Sequence, residues 1–219
     1  MEISVVVPAF IKTEKHLDMT IKCLELARAN TKLPYELVIV ETGTDYLKDY
    51  ADVYIFEKDR SDIHRSLNRG LKCASGDFVC QLTNDVFVSP GWLDCLRDTF
   101  EKKPDCGIAT LGTSQHNHVK EDLIREWIWF SLVMVRQSLF KEIGYFDEEY
   151  YMVWADTDFV MRTYLAGYTM YGNFNCIVDH KQGSTLYDEP GHIEAYEVGR
   201  KRFNEKFNGC TLPIFEGLR

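Results

Sequence analysis

Short apolar runs alternate with stretches of helical spacing along the first hundred residues. Ile3-Ser4-Val5-Val6-Val7-Pro8 is nearly continuous in apolar residues, as in a strand buried on both faces. Leu17, Ile21 and Leu24 then recur at helical spacing behind Thr13, whose hydroxyl suits an N-cap. Glu36-Leu37-Val38-Ile39-Val40 predicts a second buried strand running into the polar turn Glu41-Thr42-Gly43-Thr44-Asp45, and Val53-Tyr54-Ile55-Phe56 a third. Ile63, Leu67, Leu71 and Ala74 form a helical stripe closed by Gly76, and Asp77 to Leu82 is the fourth strand. Ser89 and Pro90 read as N-cap and first turn of a helix carrying Trp92, Leu96 and Phe100 on one face.

The second half is less regular. Gly107 to Leu111 and Ile128 to Val135 predict strands, separated by a polar, His-bearing stretch over 112–126 expected to be a loop with a short helical piece. Leu139 to Ile143 predicts a short helix ending at Gly144. Asp156 to Ala166 predicts a helix with Gly167 just past its end. Tyr168 to Val178 should return as strand, and a last helix should run from near His192 to Phe207. Strand, helix, strand repeated in this way means parallel pairing through right-handed crossovers. The expected architecture is α/β, a Rossmann-like, mostly parallel central sheet flanked by helices. With no repeat, linker or low-complexity segment, a single domain over 1–219 is expected.

Composition narrows the partners. Hydrophobic residues make up 45% and charged residues 27% of the 219, which is ordinary for a globular chain. The formal net charge of −9 argues against a nucleic-acid backbone or an anionic membrane as partner. The cysteines Cys23, Cys73, Cys80, Cys95, Cys106, Cys176 and Cys210 are scattered and odd in number, without a CxxC pair. Reduced, mostly buried thiols in a cytoplasmic protein are expected, not a disulfide frame or a zinc site. No apolar stretch is long enough to span a bilayer, and no signal peptide is expected.

The chemistry concentrates at one strand end. Thr83-Asn84-Asp85 follows the fourth apolar strand, and open α/β sheets bind ligands at the carboxyl ends of their strands. A single carboxylate there suits a hard divalent cation that also binds phosphate.

Several segments, in order, then resemble inverting glycosyltransferases of the family-two type with the GT-A fold, over roughly residues 1–185. Ser4 to Pro8 is similar to the opening strand of that family. Glu41 to Asp45 stands where members write Asp-Asn-Gly-Ser-Thr-Asp, and Arg65 to Gly70 resembles the Asn-x-Gly segment before the metal strand. Thr83-Asn84-Asp85 stands at the Asp-x-Asp element, and Trp154-Ala155-Asp156-Thr157-Asp158 with Arg162 at the Glu-Asp-x-Asp element. Asp179-His180 through Ser184 resembles the closing His-x-x-x-Ser region. Glu41, Thr83 and Ala155 depart from the pattern; Thr83 in place of the first carboxylate should weaken metal binding.

The resemblance implies roles for these positions. Asp85, with His180, would hold Mn²⁺ or Mg²⁺ against the diphosphate of a UDP-, GDP- or dTDP-sugar. Pro8, Ala9, Phe10, Glu41, Asp45, Arg65, Asn68 and Asn84 would line the nucleotide-sugar site, Glu41 facing base or ribose and Arg65 the diphosphate. Asp156 would be the general base toward a hydroxyl of a glycan or small acceptor, and Asp158 would orient Arg162 or bind the acceptor. Residues 1–110 would form the nucleotide-sugar half and 111–219 the acceptor and catalytic-base half.

Each position also has a plainer reading. Strand-end Asn-Asp occurs in ordinary turns, and Glu41 and Asp45 fit a solvated turn. Asp156 fits a carboxylate stabilising a helix N-terminus, and lone histidines are more often structural. Trp127, Trp129 and Trp154 could stack on sugar faces, though tryptophans in a strand more often belong to a core. His116 and His118 read as surface or acceptor-loop residues. Two other functions compete. An inactive sugar- or nucleotide-binding domain would account for Thr83 and Ala155. A sugar-nucleotidyltransferase would need a Gly-rich phosphate loop after the first strand, where this chain has Ala9-Phe10-Ile11-Lys12.

Overall fold

The structure, a computed structural model, describes residues 2–59, 62–114, 123–181 and 191–210. The elements are β1 (Ile3–Phe10), α1 (Glu14–Ala29), β2 (Glu36–Thr42), β3 (Val53–Glu57), α2 (Ile63–Cys73), β4 (Phe78–Leu82), β5 (Val86–Phe87) and α3 (Trp92–Lys102). There follow β6 (Cys106–Thr113), β7 (Ile124–Glu126), β8 (Leu132–Arg136), α4 (Gln137–Ile143), α5 (Ala155–Leu165), β9 (Thr169–His180) and α6 (His192–Lys206). The sheet runs β3-β2-β1-β4-β8-β6-β9-β5, with β7 pairing β9. The pairs β1/β2, β2/β3, β1/β4 and β6/β9 are parallel, as the alternating pattern predicts. β8 lies antiparallel between β4 and β6, which leaves the strands on either side of it pointing the same way.

Alternation along β1 divides the core between the two faces of the sheet. Val5 and Val7 join Cys23 and Leu24 of α1 and Trp92 and Leu96 of α3. Val6 joins Leu67 and Leu71 of α2 and Phe159 and Met161 of α5 on the other face. Gly70 is a packing requirement: a Cβ there would stand 2.5 Å from Val6 Cγ1 and 2.9 Å from Val40 Cγ2. The glycine lets α2 lie directly on β1 and β2.

Several boundaries differ from the pattern. The α3 helix starts at Trp92 behind Gly91, whose φ of 80° is open to glycine, so Ser89 and Pro90 form the preceding turn. β8 begins at Leu132, not Ile128, because side chains of the β4 segment claim the carbonyls before it. Gln81 Nε2 donates to Phe130 O, and Thr83 donates to Ser131 O through both its amide and its hydroxyl. Part of the stretch expected as loop and helix is strand β7; residues 115–122, with His116 and His118, lie outside the described set, as does Ser184.

The cysteine expectation needs a correction. Cys95 of α3 and Cys176 of β9 form a disulfide, with Cα atoms 6.4 Å apart. Asn173 Nδ2 donates to Cys95 O at 2.8 Å and docks β9 against α3, an approach that sequence separation does not reveal. Cys73 and Cys210 are exposed, while Cys23, Cys80 and Cys106 are buried free thiols as expected.

Candidate active site

The carboxyl ends of β1, β2, β3, β4, β6 and β9 share one edge of the sheet, the side on which open α/β sheets bind ligands. Thr83, Asn84 and Asp85 leave β4 at this edge in a turn closed by Val86 N donating to Thr83 O. β5 then pairs with the end of β9 in the register Val86↔His180, and Lys181 N donates to Asp85 O at 3.0 Å. This pairing brings Asp85 Oδ2 to 3.3 Å from His180 Nε2, both side chains largely buried. The His180 ring meets Trp129 edge-on at 5.0 Å, and its Nδ1 has no hydrogen-bond partner among the described residues.

One carboxylate oxygen and one imidazole nitrogen converging at a strand edge fit a divalent cation that takes its remaining ligands from phosphate and water. No third His, Cys, Asp or Glu joins them among the described residues. Thr83, whose hydroxyl donates to Ser131 O, is committed to the turn, and Asn84 Nδ2 donates to Thr20 Oγ1 of α1 at 2.8 Å.

The nucleotide-side positions lie together on neighbouring strands, in the registers Pro8↔Val40, Ala9↔Glu41 and Phe10↔Thr42. Pro8 and Ala9 are buried, Phe10 is half-buried with Lys12 Nζ 5.1 Å from its ring, and Asp45 is exposed. Glu41 is fully buried, and both its oxygens are occupied. Oε1 accepts from Thr44 Oγ1 and Tyr46 N, and Oε2 accepts from Leu47 N and Tyr54 Oη, at 2.6–3.0 Å. Burial and this carboxylate push the Tyr54 phenol up, because ionising it would put two anions side by side.

The α2 helix starts at the same edge. Its N-cap Asp62 accepts from His64 N and Nδ1 with Oδ1 and from Met152 N with Oδ2 at 2.7 Å. Burial works against the ionised Asp62, but these donors outweigh it and hold the carboxyl below its usual range. Arg65 is exposed, 4.0 Å from Glu148. Asn68 is buried: Nδ2 donates to Phe146 O and Glu148 Oε1, and Oδ1 accepts from Phe146 N. Glu57, at the end of β3, accepts from Thr42, Ser66 and Arg69. Asn68 and Asp62 thus fasten the 146–152 loop, which leads to α5, onto α2.

That loop ends in strain. Met152 and Trp154 hold left-handed φ values of 63° and 77°, each costing ~1–3 kcal/mol for a non-glycine residue. Trp154 is the N-cap of α5, and Asp156 follows in its first turn. Asp156 Oδ1 accepts from Thr157 N at 2.7 Å and from Thr157 Oγ1, and Oδ2 has no partner among the described residues. Asp158 is fully buried between Arg162 Nε and Lys206 Nζ, each at 2.6 Å. Arg162 passes that anchorage on by donating to the carbonyls of Ile143, Gly144 and Tyr145.

Asp85, His180 and Asp156 therefore share the carboxyl edge with Pro8, Ala9 and Phe10. Glu41 and Asn68 instead spend their polar atoms on neighbouring protein groups, Asn84 Nδ2 donates to Thr20, and Asp158 is ion-paired with Arg162 and Lys206. The sequence reading passed over Asp62, Glu57 and Lys206. Asp62 carried a usable signal as an Asp directly before a helical stripe; Glu57 and Lys206 carried none, because their partners are distant in the chain.

Comparison with known proteins agrees with the expected family and fold. The model of the family "Glycosyl transferase family 2" matches residues 4–153. The chain is 32% identical over 122 residues to the glucosyl-dolichyl phosphate glucuronosyltransferase of Haloferax volcanii, a match covering 52% of this chain and 38% of that protein. It is 24% identical over 188 residues to the uncharacterized glycosyltransferase YwdF of Bacillus subtilis, covering 74% of this chain and 68% of that one. Among solved structures, S. aureus TarS superposes with a TM-score of 0.70 at 15% identity, over 99% of this chain and 41% of TarS. The mannosyltransferase PcManGT of Pyrobaculum calidifontis, in complex with GDP-Man and Mn²⁺, superposes with a TM-score of 0.68 at 15% identity, over 97% of this chain and 66% of its own.

Proposed function

The chain belongs to glycosyl transferase family 2 and has the GT-A fold, and from that premise we propose that it transfers a sugar from a nucleoside diphosphate to an acceptor hydroxyl with inversion at the anomeric carbon. The observation that carries this reading is the meeting of Asp85 and His180, from distant segments, at the edge where Asp156 heads α5. The Mn²⁺ and GDP-Man in PcManGT support a divalent cation and a sugar nucleotide as its ligands.

Residues 1–110 bind the donor, with Pro8, Ala9 and Phe10 beside the nucleotide and Arg65 within reach of anionic oxygens. Asp85 and His180 hold the cation, which when bound offsets charge developing on the departing diphosphate. Asp156 Oδ2 takes the proton of the acceptor hydroxyl as its oxygen attacks the anomeric carbon from the face opposite the nucleotide. The C1–O bond to the diphosphate breaks, its electron pair leaves with the nucleoside diphosphate, and one displacement inverts the centre. The acceptor, a glycan or another hydroxyl compound, approaches from the side of residues 111–219.

Incubation with Mn²⁺ and a panel of UDP-, GDP- and dTDP-sugars should release nucleoside diphosphate from at least one donor. No release, together with no thermal stabilisation by any donor, would sink the proposal. Retention of anomeric configuration in the product would overturn the single displacement.

A further inference from the structure

Asp156 lies two residues past a tryptophan in a conformation that L-residues rarely adopt, and what holds that tryptophan comes from the far end of the described chain. The indole Nε1 of Trp154 finds no hydrogen-bond partner among the described residues, so packing holds the ring. The packing comes from α6: Tyr196 and Phe203 stand 5.4 and 5.3 Å from the ring. Between them lies Gly199, where a Cβ would come within 2.6 Å of Trp154 Cδ1, 3.0 Å of Cγ and 3.2 Å of Cβ. The helix needs no glycine there for its own backbone, since Gly199 sits inside α6. The missing side chain is a notch that admits the indole.

The same helix makes a second contact with the same turn of α5. Lys206 Nζ lies 2.6 Å from Asp158 Oδ2 and 2.8 Å from Asp147 Oδ2, and Arg202 binds Asp147 and Glu149. Asp158 N in turn donates to Trp154 O at 2.8 Å, the first hydrogen bond of α5. Both neighbours of Asp156 along the turn, the residue two before and the residue two after, are thus fixed by α6. Among the described residues the Asp156 side chain is held by Thr157 alone. The family model ends at residue 153, so α5 and α6 lie beyond the part it describes.

We propose that α6 is a clamp that aims Asp156, with Gly199 and Lys206 as positioning residues: the Gly199 notch fixes Trp154, and Lys206 fixes Asp158. The inference rests on Asp156 being the base. A misaimed base slows proton transfer without disturbing donor or cation, because Pro8, Ala9, Phe10 and His180 stand on β1 and β9 and Asp85 in the β4–β5 turn, away from the Trp154, Asp158 and Asp147 contacts of α6.

The test follows hydrolysis of UDP-glucose, GDP-mannose and dTDP-glucose with Mn²⁺, water serving as acceptor, beside hydrogen exchange of the 152–158 amides. Gly199→Ala and Lys206→Met should each lower kcat by about 10- to 100-fold while donor KM stays within about twofold. Both should speed exchange over 152–158 and leave β1 to β4 unchanged. Lys206→Arg should restore most of the turnover. Unchanged kcat and exchange in both variants, with Asp156→Asn inactive, would overturn the clamp and leave the base standing. Normal turnover by Asp156→Asn would overturn the base reading and the clamp with it. Loss of kcat matched by an equal rise in donor KM, or by exchange spread through β1 to β4, would mean a general structural role and also overturn the clamp. Gly199→Ala is the harsher change; should it fail to fold, Lys206→Met and Lys206→Arg decide alone.

Discussion

Asp156 and Glu41 are both carboxylates near the carboxyl edge, and their hydrogen bonds give them opposite duties. Asp156 uses one oxygen on its neighbour Thr157, and the other has no partner among the described residues. Asp156→Asn preserves that local bond and removes the proton acceptor. Turnover should fall by roughly 10²- to 10⁴-fold with donor affinity unchanged, read by kinetics and by calorimetric titration with nucleoside diphosphate and Mn²⁺. Glu41 has both oxygens filled by four donors of its own turn and of β3. Glu41→Gln turns an amide N–H₂ toward donors and strands at least one of them in a buried site. A loss of about 2–4 kcal/mol is expected, as a lower urea midpoint at unchanged slope. The sequence pointed to Asp85, His180 and Asp156 because each borders an element with a clear pattern, a strand end or a helix start. It could not tell a carboxylate that keeps an oxygen free from one consumed by its turn, since that depends on backbone amides whose direction no residue type records.

At the scale of elements, α6 and the loop before α5 are held together by charge. Burial opposes ionisation of Asp147, but hydrogen bonds from Lys206 and Arg202 prevail and hold its carboxyl down at about 2. A carboxyl lowered in the folded state contributes stability above its unfolded pKa and loses it as pH falls through the folded value. The contact should therefore stabilise fully above pH ~4 and fade toward pH 2. Discounted for its partial exposure, it is worth ~1–2 kcal/mol at neutral pH. Asp147→Asn should lower the urea midpoint at pH 7 and approach the parent protein near pH 2; equal losses at both values would remove the ionic explanation. None of this was visible in the pattern. The α6 spacing announced a helix, but which helix face meets which loop depends on partners far away in sequence. Strands as short as β5 and β7 escaped for another reason: two or three residues carry no period.

At the scale of the whole molecule, one sheet edge gathers the site because β1, β2, β3, β4, β6 and β9 point the same way, an orientation that alternating apolar and helical segments largely reveal. How the far end of β9 reaches that edge is a different matter. The β6/β9 register is regular from Ile108↔Met170 to Leu111↔Asn173 and then jumps to Gly112↔Ile177, so β9 bulges just before it carries His180 to Asp85. Cys176 sits in that bulge and is tied to Cys95 on α3, closing a loop with a sequence separation of 81. A covalent tie of that span restricts the unfolded chain by up to about 4.5 kcal/mol, and measured disulfides typically deliver about 2–4. Dithiothreitol should accordingly lower the denaturant midpoint of the parent protein and leave a Cys95→Ala/Cys176→Ala variant unaffected. The bulge gives the tie a second consequence. Without it the β5/β9 pairing and the short β6/β9 pairing past the bulge must keep His180 facing Asp85, so the Mn²⁺-dependent part of nucleoside diphosphate binding should weaken in the double variant, while the part measured without metal stays the same. Equal weakening with and without Mn²⁺ would mean that the disulfide supports the core only and has no bearing on the Asp85–His180 pair.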